Sequence, residues 1–382
     1  MSTENSGFSR DDYHYMQQAI ALAKQGHYTT SPNPRVGCLI VNKGEVVGRG
    51  YHAKAGQGHA EVYALKAAGE QANGATAYVT LEPCSHFGRT PPCAQALINA
   101  GVSKVIAAMV DPNPKVAGRG LAMLADAGIE THSGLLEAEA QQLNPGFIYL
   151  MRNKRPYLRC KLAASLDGKT AMASGESKWI TSSAARIDVQ RLRAQSCGVI
   201  TGADSVLTDN AKMNVRWSEL GELKARYSQH DLRQPLRVII DGKHRLAPDL
   251  AIFASDGPIL LCGSKVDLDE RYQWPSFVEY LQLPLVDGYL DLAQLLLELG
   301  KRGLNDLLLE SGARLAGAFF EQNLVNELIL YQAPKLIGSE GKSLLAFDQI
   351  DKLADAKTLS ITDCRMVGSD LRISAQVNSS HG

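Results

Sequence analysis

The sequence has no surplus of either charge. Lysine plus arginine and aspartate plus glutamate both number 40 in a chain of 382 residues, so the formal net charge is +0 at pH 7. That balance removes the whole-protein electrostatic case for binding nucleic acid or an anionic membrane surface, and any phosphate must be gripped by local groups. Cysteine is scarce. The seven cysteines, at 38, 84, 93, 160, 197, 262 and 364, are odd in number and scattered, unlike the dense, even framework of a disulfide-stapled secreted domain. Five of them, all but Cys84 and Cys93, are expected to be buried thiols. The sequence also lacks a window of about 18 uncharged apolar residues that could cross a membrane. Its opening, "MSTENSGFSRDDYHY", lacks the basic start and apolar run of a secretory signal. Internal repeats and low-complexity segments are missing too. These absences predict a cytoplasmic protein with neither nucleic acid nor membrane as a partner.

What is present is an alternation of strand and helix signals. The chain is too long for one ordinary core, so two domains are expected. "YHYMQQAIALAKQG" has helical spacing, and "VGCLIVN" and "EVVGRGY" read as strands joined by "NKG". "HAEVYALKAAGEQ" is helical, "ATAYVTL" is a strand, and "PPCAQALINAG" carries prolines where a first helical turn wants them and a glycine where it stops. "KVIAAMV", "LAMLADAG" and "IETHSG" continue the pattern, which predicts a layered α/β domain. Around "LNPGFIYLMRNKRP" the alternation breaks, placing a seam that divides residues 1–150 from 151–382. The second part, with "YLRCKLAASLDGKTA", "CGVITGADSVL", "LRVIIDG", "AIFASDGPILLCG", "DLAQLLLELGKRG" and "DLLLE", again reads as α/β. The closing "NSSHG" is expected to fray.

The chemistry of the first domain is concentrated in "GHAE" and "VTLEPCSHFGRTPPC". The first sits at a helix start and the second at a strand end. Both belong on the same edge of an α/β sheet, where such folds place ligands. His59, Cys84 and Cys93 are therefore candidate ligands of one metal ion. Three N and S donors with a fourth position open make a catalytic zinc site, whereas a structural zinc takes four protein ligands. Two thiolates and a neutral imidazole leave the ion formally neutral, still able to acidify a water. Glu61, two residues after His59, is the candidate proton carrier between that water and a leaving amine. Taken singly, each residue has an ordinary explanation as a surface or core side chain. Together, His-x-Glu followed by Pro-Cys forms the signature of zinc deaminases. The departure is the spacing, with eight residues between the cysteines where two are common. His86 is a rival ligand, ranked below Cys93 because Pro91 and Pro92 suit the start of a helix that carries Cys93 inward.

"SPNPRVGCLIV", "GHAE" and "EPCSHFGRTPPC" resemble the deaminase half of the bifunctional riboflavin biosynthesis family, diaminohydroxyphosphoribosylaminopyrimidine deaminase and 5-amino-6-(5-phosphoribosylamino)uracil reductase. The long loop between the cysteines is itself distinctive of that family. The resemblance implies zinc on His59, Cys84 and Cys93, Glu61 as proton carrier and Asn33 at the pyrimidine pocket. On its residues alone, Asn33 between two prolines is a tight turn.

In the second domain "LLLESGARLAGAFF" reads as a buried strand, a glutamate, and glycines opening a helix whose free N–H groups could cradle a phosphate. The glycines do not fit a Rossmann fingerprint and could instead allow close packing. The resemblance continues through "KLAASLDGKTA", "SKWITS", "RLRAQS", "VLTDN", "VRW" and "LLLESG". It implies a dihydrofolate-reductase-like domain using NADPH, beside a cytidine-deaminase-like α/β/α domain. Carried over residue by residue, it places Ala163, Trp179, Ser205, Asp209, Gly312, Ala313, Arg314, Leu315, Ala316, Gly317 and Ala318 on the dinucleotide. Lys161, Ser177, Arg193, Met213, Arg216 and Glu310 fall on the substrate. Arg193 and Arg216 would supply guanidinium forks for a sugar phosphate. Lys161, Asp209 and Glu310 are candidates for proton delivery or ring opening at the ribose. "VLTDNAKMNVR" departs from the family at Asn210 and Lys212, where a proline-rich turn is expected.

The resulting expectation is an enzyme that removes the 2-amino group of a phosphorylated ribosylaminopyrimidinone as ammonia and then reduces the ribosyl chain to ribityl. The resemblance further implies small phosphorylated pyrimidines as substrates and a homo-oligomer, dimer or tetramer. Two alternatives compete. One is a cytidine or tRNA adenosine deaminase with an unrelated nucleotide-binding second domain, and the other is a zinc-stabilised nucleic-acid module without catalysis.

Overall fold

The computed structural model of the chain describes residues 7–85, 91–114, 116–254, 257–265, 267–268, 272–347 and 350–378. The fold divides into two compact units between Asn153 and Lys154.

The first unit opens with α1 (Arg10–Ala23). Ser9 and Asp12 form a capping box, Ser9 Oγ accepting from the Asp12 N–H at 3.2 Å and the Asp12 carboxylate accepting from the Ser9 N–H at 2.8 Å. Met16, Ala19, Ile20 and Ala23 recur at helical spacing and form its buried face. The remaining elements are β1 (Gly37–Asn42), β2 (Glu45–Tyr51), α2 (Ala60–Ala68), β3 (Thr76–Val79), α3 (Cys93–Asn99), β4 (Lys104–Ala107), α4 (Arg119–Asp126), β5 (Glu130–Ser133), α5 (Glu137–Leu143) and α6 (Pro145–Asn153). The sheet order is β2-β1-β3-β4-β5, antiparallel on both sides of β1 and parallel from β3 to β5. Alternate residues of β1 serve opposite faces. Cys38 and Ile40 join Ala64, Leu97, Val105 and Leu124 under α2, α3 and α4. Leu39 and Val41 join Met16, Ile20, Ile106 and Leu143 under α1 and α5. A strand buried on both sides needs apolar residues without interruption, which is how "GCLIV" reads. The result is an α/β/α sandwich. The Pro145–Gly146 break is taken up by α6, whose first turn has no use for the missing proline N–H.

The second unit contains β6 (Tyr157–Ser165), β7 (Lys169–Ala171), α7 (Ser183–Gln195), β8 (Gly198–Gly202), α8 (Ala203–Asp209), β9 (Leu236–Ile240), β10 (Ile259–Gly263) and β11 (Val278–Gln282). After the small hairpin of β12 (Leu285–Val286) and β13 (Tyr289–Leu290) come α9 (Leu292–Lys301), β14 (Asp306–Leu309), α10 (Ala313–Glu321), β15 (Glu327–Ala333), β16 (Lys342–Ser343), β17 (Leu359–Val367) and β18 (Asp370–Val377). Nine strands form one sheet in the order β11-β10-β9-β8-β14-β6-β15-β18-β17. The strands from β11 to β15 run parallel, and β18 and β17 close the sheet antiparallel. Parallel strands share one carboxyl edge, so β14, β8 and β6 deliver the residues that follow them to the same rim. The C-terminal hairpin of β17 and β18 has no counterpart among the elements expected from sequence. Of the five cysteines expected to be buried, Cys38, Cys160, Cys197 and Cys262 are, and Cys364 is exposed because β17 is the outermost strand. The last four residues of "NSSHG" lie outside the described residues.

Candidate metal centre and the charged cluster of the second unit

Three chain segments bring the candidate ligands together. His59 is the N-cap residue of α2 in extended backbone, with its side chain free of any capping bond. Cys93 is the first residue of α3, after Pro92 at the N-cap. Cys84 lies on the chain leaving β3. His59 Nδ1 is 3.3 Å from Cys93 Sγ and 3.6 Å from Cys84 Sγ, and the three donor atoms lie within 4.8 Å of one another. Donors held about 2.0–2.3 Å from a tetrahedral zinc sit roughly 3.5–3.8 Å apart, so the triad has the chemistry and the spacing for that ion. The Cys93 thiol donates to Cys84, with further donation from the His59 ring and the Cys93 N–H, and together they hold the Cys84 thiol down at about 4. Cys93 is pushed up in turn by the Cys84 sulfur and by burial, and the same sulfur raises His59. His86, the rival ligand, lies outside the described residues.

Glu61 is 3% exposed, and its Oε2 meets no hydrogen-bond partner among the described residues. A buried carboxylate oxygen without a partner is costly unless something else uses it. Burial raises the Glu61 pKa, against the opposing pull of His59. Asn33 stands close by through His52: its Nδ2 is 3.2 Å from His52 Nε2, while His52 Nδ1 is 2.9 Å from the Gly58 carbonyl. The His52 and His59 rings meet edge to face at 5.7 Å.

Sequence reasoning gives no role to Glu82. It is 3% exposed and accepts four backbone N–H groups: Asp111 at 3.0 Å and Gly118 at 2.9 Å on Oε2, Gly120 at 2.8 Å and Leu121 at 3.3 Å on Oε1. No local signal could have disclosed partners so far along the chain.

In the second unit, Glu310 leaves the carboxyl end of β14 and meets Arg193 of α7. Arg193 Nε donates to Oε1 at 2.6 Å and Nη2 to Oε2 at 2.9 Å, while Nη1 donates to the Asn214 carbonyl at 3.1 Å. Nη2 also lies 3.8 Å from Met213 Sδ. Both members of the pair are 9% exposed. Burial would raise the Glu310 carboxyl, but Arg193, Lys161 and Arg216 outweigh it and hold it low. Burial lowers half-buried Lys161, with Glu310 pulling the other way. Arg216 makes its own fork on Glu219, at 2.5 and 2.7 Å, at a much more open position. Lys161, Arg193, Met213, Arg216 and Glu310 are thus one electrostatic neighbourhood. Arg186, unremarked in the sequence, extends it: its charge helps hold Glu219 low, and its guanidinium lies 4.4 Å over the Trp179 ring.

Glu310 takes the Nε–Nη2 edge of Arg193 and the Asn214 carbonyl takes Nη1, so Arg216 is the more open of the two forks.

The expected dinucleotide segment runs into α10. Gly312 is the N-cap of α10 with open space where a Cβ would stand, and the N–H groups of Ala313, Arg314 and Leu315 follow in the first turn. Ala316 already donates its N–H to the Gly312 carbonyl and is fully buried in the core. A Cβ on Gly317 would lie 1.9 Å from the Ala346 carbonyl, so this glycine permits close packing. Ala318 lies one residue further along the same helix. Ala163 lies on β6 opposite Tyr331, and Ser205 and Asp209 are on α8, which follows β8. Ser177 precedes Trp179 in the loop after β7. Asn210, at the departure from the family pattern, takes left-handed backbone with φ 47° and accepts from the Ala251 N–H at 3.0 Å.

Residues 9–109 match the family described as the cytidine and deoxycytidylate deaminase zinc-binding region, and residues 156–372 match the RibD C-terminal domain. The fold and the site together define a deaminase-like zinc domain followed by a RibD-type reductase domain. The riboflavin biosynthesis protein RibD of Escherichia coli (strain K12) is 52% identical over 361 residues, which are 94% of this chain and 98% of that one. The solved structure of Acinetobacter baumannii RibD, form 1, superposes with a TM-score of 0.88 at 44% identity, covering 97% of this chain and 99% of that one. The diaminohydroxyphosphoribosylaminopyrimidine deaminase/5-amino-6-(5-phosphoribosylamino)uracil reductase of Thermotoga maritima gives 0.82 at 30% identity, covering 96% and 99%. The chain belongs to the RibD family of bifunctional riboflavin biosynthesis enzymes. Because the similarity runs through both units, the reading with an unrelated second domain falls away.

Proposed function

We propose that this chain catalyses two consecutive steps of riboflavin biosynthesis, a hydrolytic deamination in residues 1–150 and a reduction in residues 151–382. The substrates are phosphorylated ribosylaminopyrimidines. His59 through Nδ1, Cys84 and Cys93 would hold zinc, which when bound lowers the pKa of a water enough to supply hydroxide near neutral pH. Glu61 takes up a proton on its buried Oε2 and returns it to the departing amine, and its raised pKa suits both halves of that task. Asn33, steadied by His52, orients the pyrimidine ring.

The observation that carries this reading is the unpartnered Oε2 of Glu61 beside a His/Cys/Cys triad whose donors are spaced for zinc. Its test is Glu61→Gln. Zinc content should be retained while ammonia release falls by about 10²- to 10⁴-fold, the range of general acid–base catalysis. Unchanged ammonia release would remove Glu61 from the reaction.

In the second unit NADPH would supply the hydride. Gly312 and the N–H groups of Ala313, Arg314 and Leu315 offer a cradle for its phosphates, with Ala163, Trp179, Ser205 and Asp209 along the same cofactor. Arg216 exchanges Glu219 for the substrate phosphate, an easy exchange at an open position. Arg193, locked to Glu310, sets the carboxylate that faces Lys161, and these two groups handle the proton at the ribose, with Ser177 and Met213 lining the substrate. Loss of reduced-nicotinamide absorbance on adding the deaminated intermediate tests this half. The outermost strand β17, with Ile361 67% and Met366 62% exposed, supports assembly into a homo-oligomer, dimer or tetramer. The reading places the enzyme in the cytoplasm, where NADPH and phosphorylated metabolites are at hand.

A further inference from the structure

We propose that Glu82 is a positioning residue of the metal centre, fixing through its carboxylate the short segment that presents the Cys84 sulfur. The inference rests on the zinc reading above and adds to it a residue that touches neither metal nor substrate.

The strand β3 ends at Val79, and the five residues from Thr80 to Cys84 must carry the chain from the sheet to the triad. Irregular backbone of this kind wanders unless its polar groups are tied down. Here Glu82 ties it down twice, by its backbone and by its side chain. The Glu82 N–H donates to the Met109 carbonyl at 3.0 Å, holding the segment to the chain beyond β4. Its carboxylate then collects the four N–H groups of Asp111, Gly118, Gly120 and Leu121, so both oxygens are used twice.

Three of those donors belong to the start of α4, whose N-cap, Gly118, has no side chain to offer. A helix start exposes N–H groups and the positive end of its dipole, and a carboxylate satisfies both. Glu82 therefore caps α4 from a distant part of the sequence. The fit is close on the next residue as well: a Cβ on Gly120 would lie 1.9 Å from the Pro83 carbonyl. The start of α4 is thus pressed against the peptide immediately before Cys84. From the other side, Cys84 receives the Cys93 N–H at 3.3 Å on its sulfur and the Ala94 N–H at 3.2 Å on its carbonyl. Cys84 sits between two clamps, and Glu82 is the charged part of one of them.

An ionised carboxylate only accepts hydrogen bonds, whereas an amide carries two donors. Glu82→Gln keeps the size of the side chain but turns an –NH₂ toward backbone N–H groups, so half of the clamp becomes repulsive. Gly120→Ala leaves all four N–H donors in place and displaces the Pro83 carbonyl directly. The two variants disturb the same segment by different means, although the added methyl would also come within 3.2 Å of Glu82 Oε1.

The experiment uses the full-length protein loaded with zinc, and separately with cobalt(II). Each variant should pass zinc to a colorimetric chelator about 10- to 100-fold faster than the parent, the cost usual for outer-sphere partners of a metal site. Each should also shift the thiolate-to-cobalt absorption bands. NADPH oxidation by the second unit, given the deaminated intermediate, should stay at the parental rate and report an intact chain. A merely structural Glu82 predicts a lower melting temperature with zinc release and cobalt spectrum unchanged at temperatures where the variant is folded, and that result overturns the proposal. If Glu82→Gln fails to fold, Gly120→Ala decides by the same two readouts. Failure of the parent itself to hold zinc or cobalt would bring down the zinc reading as well, which separates the two outcomes.

Discussion

The guanidinium of Arg193 grips the carboxylate of Glu310 with two parallel bonds, 2.6 and 2.9 Å long, across 117 positions of sequence. Both groups are buried, so neither can lose the other cheaply. Glu310→Gln should lower the stability of the second unit by about 3–5 kcal/mol, because it leaves an uncompensated buried cation. Thermal unfolding checks this, with ammonia release from the first unit expected to survive.

Arg216 presents the opposite case. Its fork on Glu219 is well exposed, and such pairs contribute about 0–1 kcal/mol. Arg216→Ala should therefore melt almost as the parent does, while KM for the reductase substrate rises about tenfold or more with a smaller change in kcat. An unchanged KM would take the phosphate away from Arg216.

The same buried pair makes a pH prediction. Burial opposes the charge on Glu310, but Arg193 leads a set of cations that holds its pKa below the ordinary 4.5. A depressed carboxylate pKa contributes stability that is fully present above the unfolded value and lost as pH falls through the folded one. The stability gap between the parent and Glu310→Gln should be constant above pH 4.5 and shrink below it. Chemical denaturation across that range would show it, and a gap independent of acid would contradict it.

Gly317 is a packing glycine. Gly317→Ala puts a methyl group 1.9 Å from the Ala346 carbonyl, so α10 or the facing chain must move. A loss of about 1–3 kcal/mol is expected, the usual range for overpacking. A ligand-facing role would instead appear as weaker dinucleotide binding at unchanged stability.

Zinc chelation should separate the two activities. Removal of the ion should abolish ammonia release and leave NADPH oxidation with the deaminated intermediate untouched. Readdition of zinc should restore the first activity.

What the sequence discloses and what it hides divide along a physical line. The triad is legible because metal chemistry demands rare side chains at fixed local positions: His59 and Glu61 at a helix start, Cys84 after a strand, Cys93 behind two prolines. The three-layer first unit is legible because β1 must be apolar on both faces. Glu82 is hidden because its partners are backbone N–H groups 29 to 39 positions downstream, and backbone carries no signature. Arg193 is legible as a charge, but its partner is not, since only the fold of β14 against α7 brings Glu310 to it. Gly312 and Gly317 look alike in the sequence. Only the position of Ala346 separates the open one from the packed one. The terminal strands β17 and β18 escape notice because most of β17 faces solvent and lacks the apolar run that marks an inner strand.

The metal donors come from three places in the chain, 25 and 9 positions apart, so an ion at the triad would tie two helix starts to a strand exit as a disulfide would. A cell starved of zinc would lose that tie in the first unit while the second kept its own interior intact. Deamination would then stop, with the reducing unit folded, loaded and waiting for a substrate that no longer arrives.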